Sequence, residues 1–329
     1  MNRAASLSKT LLAAAYNLNA SDIHFYPFHE YTNIYFRING ERTQYKIISP
    51  KDYELLLTYY KFTSGMDIGE VRKPQNGVYK HFFKATHFSL RLSTLPVNQT
   101  ESLAIRILPQ KQDLPLDQLF LFPKQLDIIK NWTKNQAGLI LMTGPTGSGK
   151  TTTLYSLLQT LLNENSYQAI TLEDPIEKNI HNILQVQINE KAGISYQSGL
   201  KAALRHDPDI IMIGEIRDKY TAQFAFEASL TGHLVLSTLH AKNALGTIHR
   251  LLDMGLNAIE LNQSLIGVAS LKLLPIDLQT TGKRRAAIME LLYGENLDTV
   301  IEGKDIDMKK QIHSFQYLTK KALAYGFIS

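Results

Sequence analysis

The fold is decided by Gly144-Pro145-Thr146-Gly147-Ser148-Gly149-Lys150-Thr151, which joins an apolar segment at residues 139–143 to a second segment at 151–162. The first segment predicts a buried strand and the second a helix, which is the setting in which a phosphate-binding loop works. Its glycines let backbone N–H groups curl around phosphate oxygens, and the helix N-terminus adds positive potential. The sequence therefore predicts an ATP site. Its predicted residues are Gly144, Pro145, Thr146, Gly147, Ser148, Gly149, Lys150, Thr151 and Thr152.

A second apolar segment, residues 210–213, is followed by Gly214-Glu215. Ligands of open α/β sheets bind at the carboxyl ends of the strands, so this segment is predicted to deliver a carboxylate to the nucleotide. Glu215 is predicted to hold Mg²⁺ through water, beside the hydroxyl of Thr151, or to polarise the attacking water, while Lys150 neutralises the β- and γ-phosphates. An exposed glutamate at a strand end is the alternative.

Two more apolar segments, residues 169–172 and 234–238, lead to polar side chains. Glu173 and Asp174 follow the first, and such a pair can orient water or Mg²⁺, although Asp174 is also typical of a turn. His240 follows the second segment, and its imidazole is predicted to contact the γ-phosphate. A purely structural histidine is the alternative there.

Length and composition limit the class of protein. A chain of 329 residues predicts two domains, and 44% hydrophobic with 20% charged residues is typical of globular proteins. The absence of cysteine excludes disulfides and thiolate metal sites and favours a reducing compartment. No apolar run is long enough to predict a membrane span or a signal peptide. The net charge of +5 would permit contact with nucleic acid or an anionic membrane, but it clusters only at Lys283-Arg284-Arg285 and Lys309-Lys310, where solvated surface residues are the simpler interpretation.

The region before the loop has a different pattern. Helices are predicted over 7–18 and 50–62, and strands over 23–26, 33–38, 43–48, 78–83, 87–94 and 102–108, with Asn39-Gly40 as a tight hairpin turn. This pattern predicts a small α+β domain over 1–108 and a proline-containing connector over 109–123. From 124 to 329 short apolar strands alternate with helices, which predicts a parallel, doubly wound α/β domain that ends in a helix within 309–325.

These segments, in this order, resemble the secretion traffic ATPases, which drive type II secretion, type IV pili and competence pseudopili. Glu173-Asp174-Pro175-Ile176-Glu177 is similar to the aspartate box of that family, and residues 231–244, TGHLVLSTLHAKNA, to its histidine box. The resemblance covers nearly the whole chain. Its N-terminal segments are Ala20-Ser21-Asp22-Ile23-His24, Arg37-Ile38-Asn39-Gly40, Pro74-Gln75-Asn76-Gly77 and Arg91-Leu92-Ser93-Thr94-Leu95-Pro96.

The resemblance implies a C-terminal RecA-like P-loop NTPase domain with a smaller N-terminal α+β (PAS-like) domain, assembled as a homohexamer that binds ATP and Mg²⁺. It also implies that Arg91 and Arg106 reach the phosphates, in cis or in trans. Hydrolysis needs cations that arrive when the site closes, so arginines on a mobile domain would couple closure to chemistry. Outward-facing residues of alternating strands are the alternative. The candidate catalytic residues are Glu215, Glu173, Arg91, Arg106, Arg217 and His240.

Three departures from the family pattern indicate which subgroup of the family the chain resembles. Asn76-Gly77-Val78 stands where the family often has an aspartate and an arginine, and Ser270-Leu271-Lys272-Leu273-Leu274 where it often has Gln-Arg-Leu. The tetracysteine insert of related ATPases is absent, so no zinc is expected. The chain most resembles the competence pseudopilus ATPases of Gram-positive bacteria.

The predicted function is that of a cytoplasmic ATP hydrolase at the inner face of the cell membrane, which powers assembly of a competence pseudopilus or pilus-like fibre for DNA uptake. The predicted partner is a polytopic membrane platform protein, and contact with DNA is not required. A pilus retraction ATPase, a RecA-like DNA motor and a non-hydrolysing scaffold are the alternatives.

Overall fold

The chain divides into two compact units, Met1–Gln112 and Asp113–Ser329. The structure is a computed structural model that describes residues 3–38, 40–83, 86–97, 100–109, 115–278, 282–304, 306–307 and 311–328. Several predicted features fall outside these ranges: Asn39 of the hairpin turn, residues 110–114 of the connector and the pair Lys309-Lys310. The side chains of Lys283 and Arg284 are likewise not described.

The first unit is built on a six-stranded antiparallel sheet in the order β3-β2-β1-β6-β5-β4. Its strands are β1 (Asp22–Pro27), β2 (Thr32–Ile38), β3 (Glu41–Ile48), β4 (Gln75–Phe83), β5 (Thr86–Val97) and β6 (Thr100–Pro109). Gly40, between β2 and β3, has φ +91°, a value that favours glycine in a tight turn.

Two helices, α1 (Arg3–Asn17) and α2 (Pro50–Thr63), cover one face of this sheet. The side chain of Ser49 caps α2 by accepting the N–H of Asp52, and Pro50 occupies the first turn. Alternate residues of the strands point to opposite faces, so apolar side chains such as Phe25 and Ile105 pack under the helices and polar ones lie on the other face.

A buried ion pair links α2 to β6 in this unit. The ammonium of Lys61 lies 2.6 Å from a carboxylate oxygen of Glu101 and also donates to the Glu70 carbonyl at 2.8 Å. The two paired side chains are 2% and 1% exposed. Both charges are therefore compensated inside the unit.

The second unit is built on a seven-stranded sheet in the order β13-β12-β7-β11-β10-β8-β9. Its strands are β7 (Gly138–Thr143), β8 (Ala169–Glu173), β9 (Ile183–Gln187), β10 (Ile210–Ile216), β11 (Leu234–Leu239), β12 (Leu265–Leu278) and β13 (Gly282–Tyr293). All neighbours pair in parallel except β12 and β13, which form an antiparallel hairpin. The expectation of a parallel, doubly wound sheet thus holds for the nucleotide-binding strands but omits this antiparallel edge.

Helices cover both faces of the second sheet. The helices of this unit are α3 (Leu116–Leu119), α4 (Pro123–Trp132), α5 (Lys150–Glu164), α6 (Tyr196–Ala203), α7 (Lys219–Leu230), α8 (Ala244–Asp253), α9 (Ala258–Ser264), α10 (Gly294–Ile301) and α11 (Phe315–Ala324). One apolar core joins α4 and α5 to the sheet, and another joins α6 to α10 to its opposite face. A mainly parallel sheet with helices packed on both faces is the architecture of nucleotide-binding α/β domains.

Residues 115–123 of the predicted connector pack within the second unit, whereas Pro109 ends β6 of the first. Leu116 and Phe120 are buried in the core of α4 and α5, and Phe120 forms a parallel bridge with Ala287 of β13. Phe122 joins the smaller core under α11, whose first turn is capped by Ser314. Among the described residues, no helix combines the length and the apolar character needed to cross a membrane.

Candidate nucleotide-binding site

The phosphate-binding loop follows β7, in which every residue is buried. Gly144, Gly147 and Gly149 have φ values of +139°, +77° and +97°, so the loop depends on conformations that other residues rarely adopt. A Cβ atom on Gly144 would lie 2.7 Å from the Leu271 carbonyl oxygen and 2.7 Å from the Ser148 hydroxyl. The loop is therefore shaped by its backbone, as a cradle for phosphate requires.

The hydroxyl of Ser148 is buried in this loop and has no hydrogen-bond partner within the described residues. A buried hydroxyl without a partner is uncommon, because the lost hydrogen bonds to water cost free energy. A phosphate oxygen in the loop would supply the missing acceptor. This observation, together with the backbone cradle, fits the loop to a nucleotide.

The ammonium of Lys150 points into the same loop. It donates to the carbonyl oxygens of Gly144 at 2.9 Å and Pro145 at 3.1 Å, and it lies 3.3 Å from Nδ1 of His240. Burial lowers the pKa of Lys150, and the carboxylates of Glu215 and Glu177 oppose that shift. When Nδ1 of His240 carries no proton, the ammonium therefore has three acceptors within the protein.

A chain of charged contacts continues from His240 along the carboxyl ends of the strands. His240 Nε2 lies 3.2 Å from one oxygen of Glu215, and the second oxygen of Glu215 accepts Nε of Arg217 at 3.0 Å. Nη1 of Arg217 lies 3.4 Å from Asp174. The order is Lys150, His240, Glu215, Arg217, Asp174, and we call this set the polar chain.

A single tautomer of His240 satisfies both of its contacts. If the proton sits on Nε2, this atom donates to Glu215 while Nδ1 accepts from Lys150. The carbonyl of His240 also accepts Nη1 of Arg250 from α8. The imidazole therefore needs no positive charge to bridge the ammonium and the carboxylate.

The strand that carries Glu215 is held in place by its neighbour. Hydroxyls of Ser237 and Thr238 on β11 donate to the carbonyls of Ile213 and Gly214 at 2.7 Å each. The register between β10 and β11 shifts after Ile213, so the end of β10 leaves the regular ladder. Such irregularities re-aim side chains next to active sites, and here the carboxylate of Glu215 turns toward His240.

Glu173, at the end of β8, lies in a different environment. Its side chain is only 3% exposed, and its oxygens accept from the hydroxyl of Tyr155, from Thr171 at 2.5 Å and from Gln185 at 3.0 Å. Asp174, the next residue, is the carboxylate of this pair that joins the polar chain. The predicted pair is thus split between a buried network and the exposed strand ends.

A family model described as "Type II/IV secretion system protein" matches residues 2–321. The chain belongs to this family. Competence protein ComGA of Bacillus subtilis is 42% identical over 100% of this chain and 96% of its own length. Type II secretion system ATPase E of Vibrio cholerae is 41% identical over 81% of the chain, which corresponds to 53% of that relative.

A solved structure extends the likeness to three dimensions. The pilus retraction motor PilT with bound ADP has a TM-score of 0.76 and 28% identity, and the match covers 97% of this chain and 93% of that one. This protein is accordingly an ATPase of the type II/IV secretion family with the two-domain fold of its relatives.

The second unit of this secretion ATPase brings together five residues that the sequence singled out: Lys150, His240, Glu215, Arg217 and Asp174. Arg91 and Arg106 lie on neighbouring strands of the first unit, directly opposite one another in the β5–β6 register. Among the described residues, no group of three or more His, Cys, Asp and Glu side chains could hold a metal ion by itself.

Sequence reasoning missed several partners of the site residues. Tyr155 and Gln185, which bind Glu173, carried no motif that would have singled them out. Asp174 was not missed, because the sequence predicts it with Glu173 as a carboxylate pair, with a turn role as the alternative. Asp22, which lies 2.9 Å from Nε of Arg106, stands in one of the segments that resemble the family.

Proposed function

We propose that this protein is a homohexameric motor that hydrolyses ATP to power assembly of a competence pseudopilus or a related pilus-like fibre for DNA uptake. The observation that carries the proposal is the polar chain, which connects the lysine of the phosphate loop to the ends of three parallel strands. The match to ComGA over the full chain supports the choice of system.

In the proposed mechanism Lys150 exchanges its contacts with the loop carbonyls for oxygens of the β- and γ-phosphates. Backbone N–H groups from Gly144 to Thr152, at the start of α5, hold the remaining oxygens. Thr151 and Glu215 supply the kind of oxygen ligands that Mg²⁺ uses beside phosphate and water, and the ion would neutralise charge on the phosphates. Glu215 and Glu173 are our candidates for orienting the attacking water.

Closure of the site is the step that we propose to produce movement. Arg91 and Arg106 of the first unit, from the same or a neighbouring subunit, are candidates to stabilise charge on the transferred phosphoryl group, with Arg217 as a further candidate. A cation that arrives only on closure makes hydrolysis depend on domain position. We also propose that His240 responds to the γ-phosphate, which its contacts with Lys150 and Glu215 support.

The proposed setting is the cytoplasmic face of the cell membrane, with a polytopic platform protein as the partner. This part of the proposal rests on the names of the similar competence and type II secretion proteins. Neither direct contact with DNA nor zinc is required by it. Retraction of a fibre is the second candidate, and the likeness to PilT favours it, but ComGA is the more similar sequence.

Phosphate release from purified full-length protein tests the proposal. The change Lys150→Ala should reduce turnover to background because it removes the cation that neutralises the phosphates. Lys201→Ala, at an exposed lysine of α6, is the matched control and should keep the wild-type rate. Wild-type turnover in the Lys150→Ala protein would contradict the site.

Further measurements separate the alternatives. Turnover stimulated by added DNA would favour a DNA motor, and a ring that binds ATP without releasing phosphate would favour a scaffold. Co-purification with the cytoplasmic part of a platform protein, abolished by changes outside the nucleotide site, would support the secretion setting.

A further inference from the structure

One face of the first sheet carries a row of charged side chains. Across β5, β6, β1, β2 and β3, the residues directly opposite one another are Arg91, Arg106, Asp22, Arg37 and Arg42. Residues paired in this way share a face, and the helices α1 and α2 cover the other face. Four arginines therefore lie in line with a single carboxylate.

Asp22 sits in the middle of this row and is the least exposed member of its ion pairs. One carboxylate oxygen accepts Nε of Arg106 at 2.9 Å. The other accepts the hydroxyl of Ser21 at 2.8 Å and lies 3.8 Å from Nε of Arg37. The side chain of Asp22 is 10% exposed, whereas that of Arg106 is 63% exposed. The carboxylate of Asp22 is therefore held within the sheet, and the Arg106 side chain extends from it toward solvent.

Two other arginines of the row are held by local contacts. Nη1 of Arg37 donates to the Gly40 carbonyl at 2.8 Å. The guanidinium of Arg42 lies over the rings of Tyr26 and Tyr35, at 5.1 and 4.6 Å from their centroids. These contacts occupy the outer ends of both side chains.

Arg106 differs because Asp22 holds only its inner edge. Within the described residues, the bond from Nε is the one hydrogen bond found for its side chain. A guanidinium is planar with five donors, so a carboxylate on Nε fixes the plane and leaves Nη1 and Nη2 to reach a second anion. In this geometry an arginine can donate from Nη1 and Nη2 to a phosphate while its Nε remains bound to the carboxylate.

We propose that Asp22 is a positioning residue, which fixes the guanidinium of Arg106 so that Nη1 and Nη2 meet the transferred phosphoryl group. This inference rests on the role proposed above for Arg106. If the side chain is already ordered before closure, it loses less conformational freedom in the transition state. The barrier to hydrolysis is then lower, and this is how a positioning residue raises turnover.

The carboxyl group of Asp22 is ionised at neutral pH. Burial alone would raise the pKa of this carboxyl group, but hydrogen bonds from Arg106 and Ser21 and the charge of Arg106 outweigh burial and hold the pKa below its usual value. The anion that anchors Arg106 is therefore present under assay conditions.

A double-mutant cycle on the full-length protein tests the inference through kcat and KM for ATP. Arg106→Gln should lower kcat by about 1,000-fold or more, as for arginines that stabilise phosphoryl transfer. The isosteric Asp22→Asn should lower kcat by about tenfold with KM within about twofold, because it misplaces the arginine without removing it. In an Arg106→Lys background, which lacks the planar fork, Asp22→Asn should change kcat by less than about twofold.

The outcomes separate the two proposals. Wild-type kcat in Arg106→Gln would refute the role of Arg106 and the dependent role of Asp22. A large loss in Arg106→Gln with wild-type kcat in Asp22→Asn would overturn the Asp22 inference alone. An equal loss from Asp22→Asn in both backgrounds would assign Asp22 to the fold of the sheet and would also overturn it.

Asp52→Asn is the matched control, since it removes the ion pair with Arg3 in the same unit, 2.7 Å long, away from the charged row. It should keep the wild-type kcat. Thermal unfolding followed by circular dichroism checks that each variant is folded at the assay temperature. If Asp22→Asn fails this check, Asp22→Glu, which keeps the charge but moves the carboxylate, takes its place with the same criteria.

Discussion

The hydroxyl of Tyr155 can be removed with little change of volume, and the effect follows from its contact with Glu173. Tyr155 lies on α5 and is 3% exposed, and its hydroxyl donates to a carboxylate that is equally buried. Burial is the main cause that raises the pKa of Tyr155 far above its usual value, with the charge of Glu173 next, so the phenol keeps its proton at every working pH. Tyr155→Phe therefore deletes one donor to a buried anion.

The expected cost can be worked out from these contacts. A hydrogen bond to a charged group contributes about 1.5–3 kcal/mol. Thr171 and Gln185 still donate to Glu173, so the carboxylate is not left alone, and about 2 kcal/mol is the appropriate figure. For a unit of this size that loss lowers the unfolding midpoint by about 4–8 °C.

Calorimetry of the full-length protein measures the shift, assigned to the second unit by comparison with ADP-bound protein. Tyr167→Phe is the control, because Tyr167 is 37% exposed and should change stability by less than about 0.5 kcal/mol. A Tyr155→Phe midpoint equal to that of the control would refute the view that this phenol stabilises a buried Glu173 anion.

Three further predictions concern the ion pair, the loop and pH. Lys61→Met should destabilise the first unit by about 3–5 kcal/mol in urea unfolding, because it leaves the buried Glu101 carboxylate without its cation. The double variant Lys61→Met with Glu101→Leu should recover most of this loss, and equal stability of the single variant and wild type would contradict the pairing. Gly144→Ala should abolish binding of a fluorescent ATP analogue, because its φ of +139° and the 2.7 Å approach of a carbonyl exclude a Cβ; near-normal affinity would show that the loop tolerates it. Burial and the charge of Lys321 lower the pKa of His313, so the unfolded chain binds more protons and stability should rise as pH increases through the folded pKa toward about 6.5. His313→Gln should flatten this rise in unfolding free energies measured from about pH 5 to 7, and an unchanged slope would rule out His313 as its source.

The sequence predicts the strand ends of the site well because the signals are local. A strand followed by a glycine-rich loop, or by a single carboxylate, can be recognised within about ten residues of sequence. In a parallel sheet the carboxyl ends of such strands then lie at the same edge. That is why Lys150, Glu215 and His240 could be expected near each other before any coordinates.

The contacts of Glu173 were not predictable in the same way. Two of its three donors come from α5 and β9, so their approach depends on how a helix packs on the sheet and on the register of β8 with β9. The partner of Arg106 depends likewise on the register of β1 with β6, which pairs residues 84 positions apart. The alternation of apolar residues indicates which side chains of a strand face the core, but it does not identify the residue that lies opposite on a strand distant in sequence.

The hairpin of β12 and β13 was missed for a different reason. Residues 265–278 form a largely apolar run without strict alternation, and such runs suit a buried strand and a buried helix equally. The tertiary position decides the outcome, because β12 is paired on one side with β7 and on the other with β13.

The pairing of Lys150 within the site bears directly on the proposed mechanism. With an unprotonated Nδ1 of His240 as the third acceptor, all three N–H donors are paired in the protein. A phosphate oxygen would then gain the ammonium by displacing a carbonyl or the imidazole of His240. Displacement of the imidazole alters the contact of His240 with Glu215, the carboxylate that we propose to hold Mg²⁺. Because Glu215 also binds Arg217, and Arg217 contacts Asp174, the same event would extend across the ends of β11, β10 and β8. We therefore propose that cations paired with protein groups before ATP arrives convert phosphate binding into a rearrangement of three strand ends, which is the local change that the proposed motor would transmit.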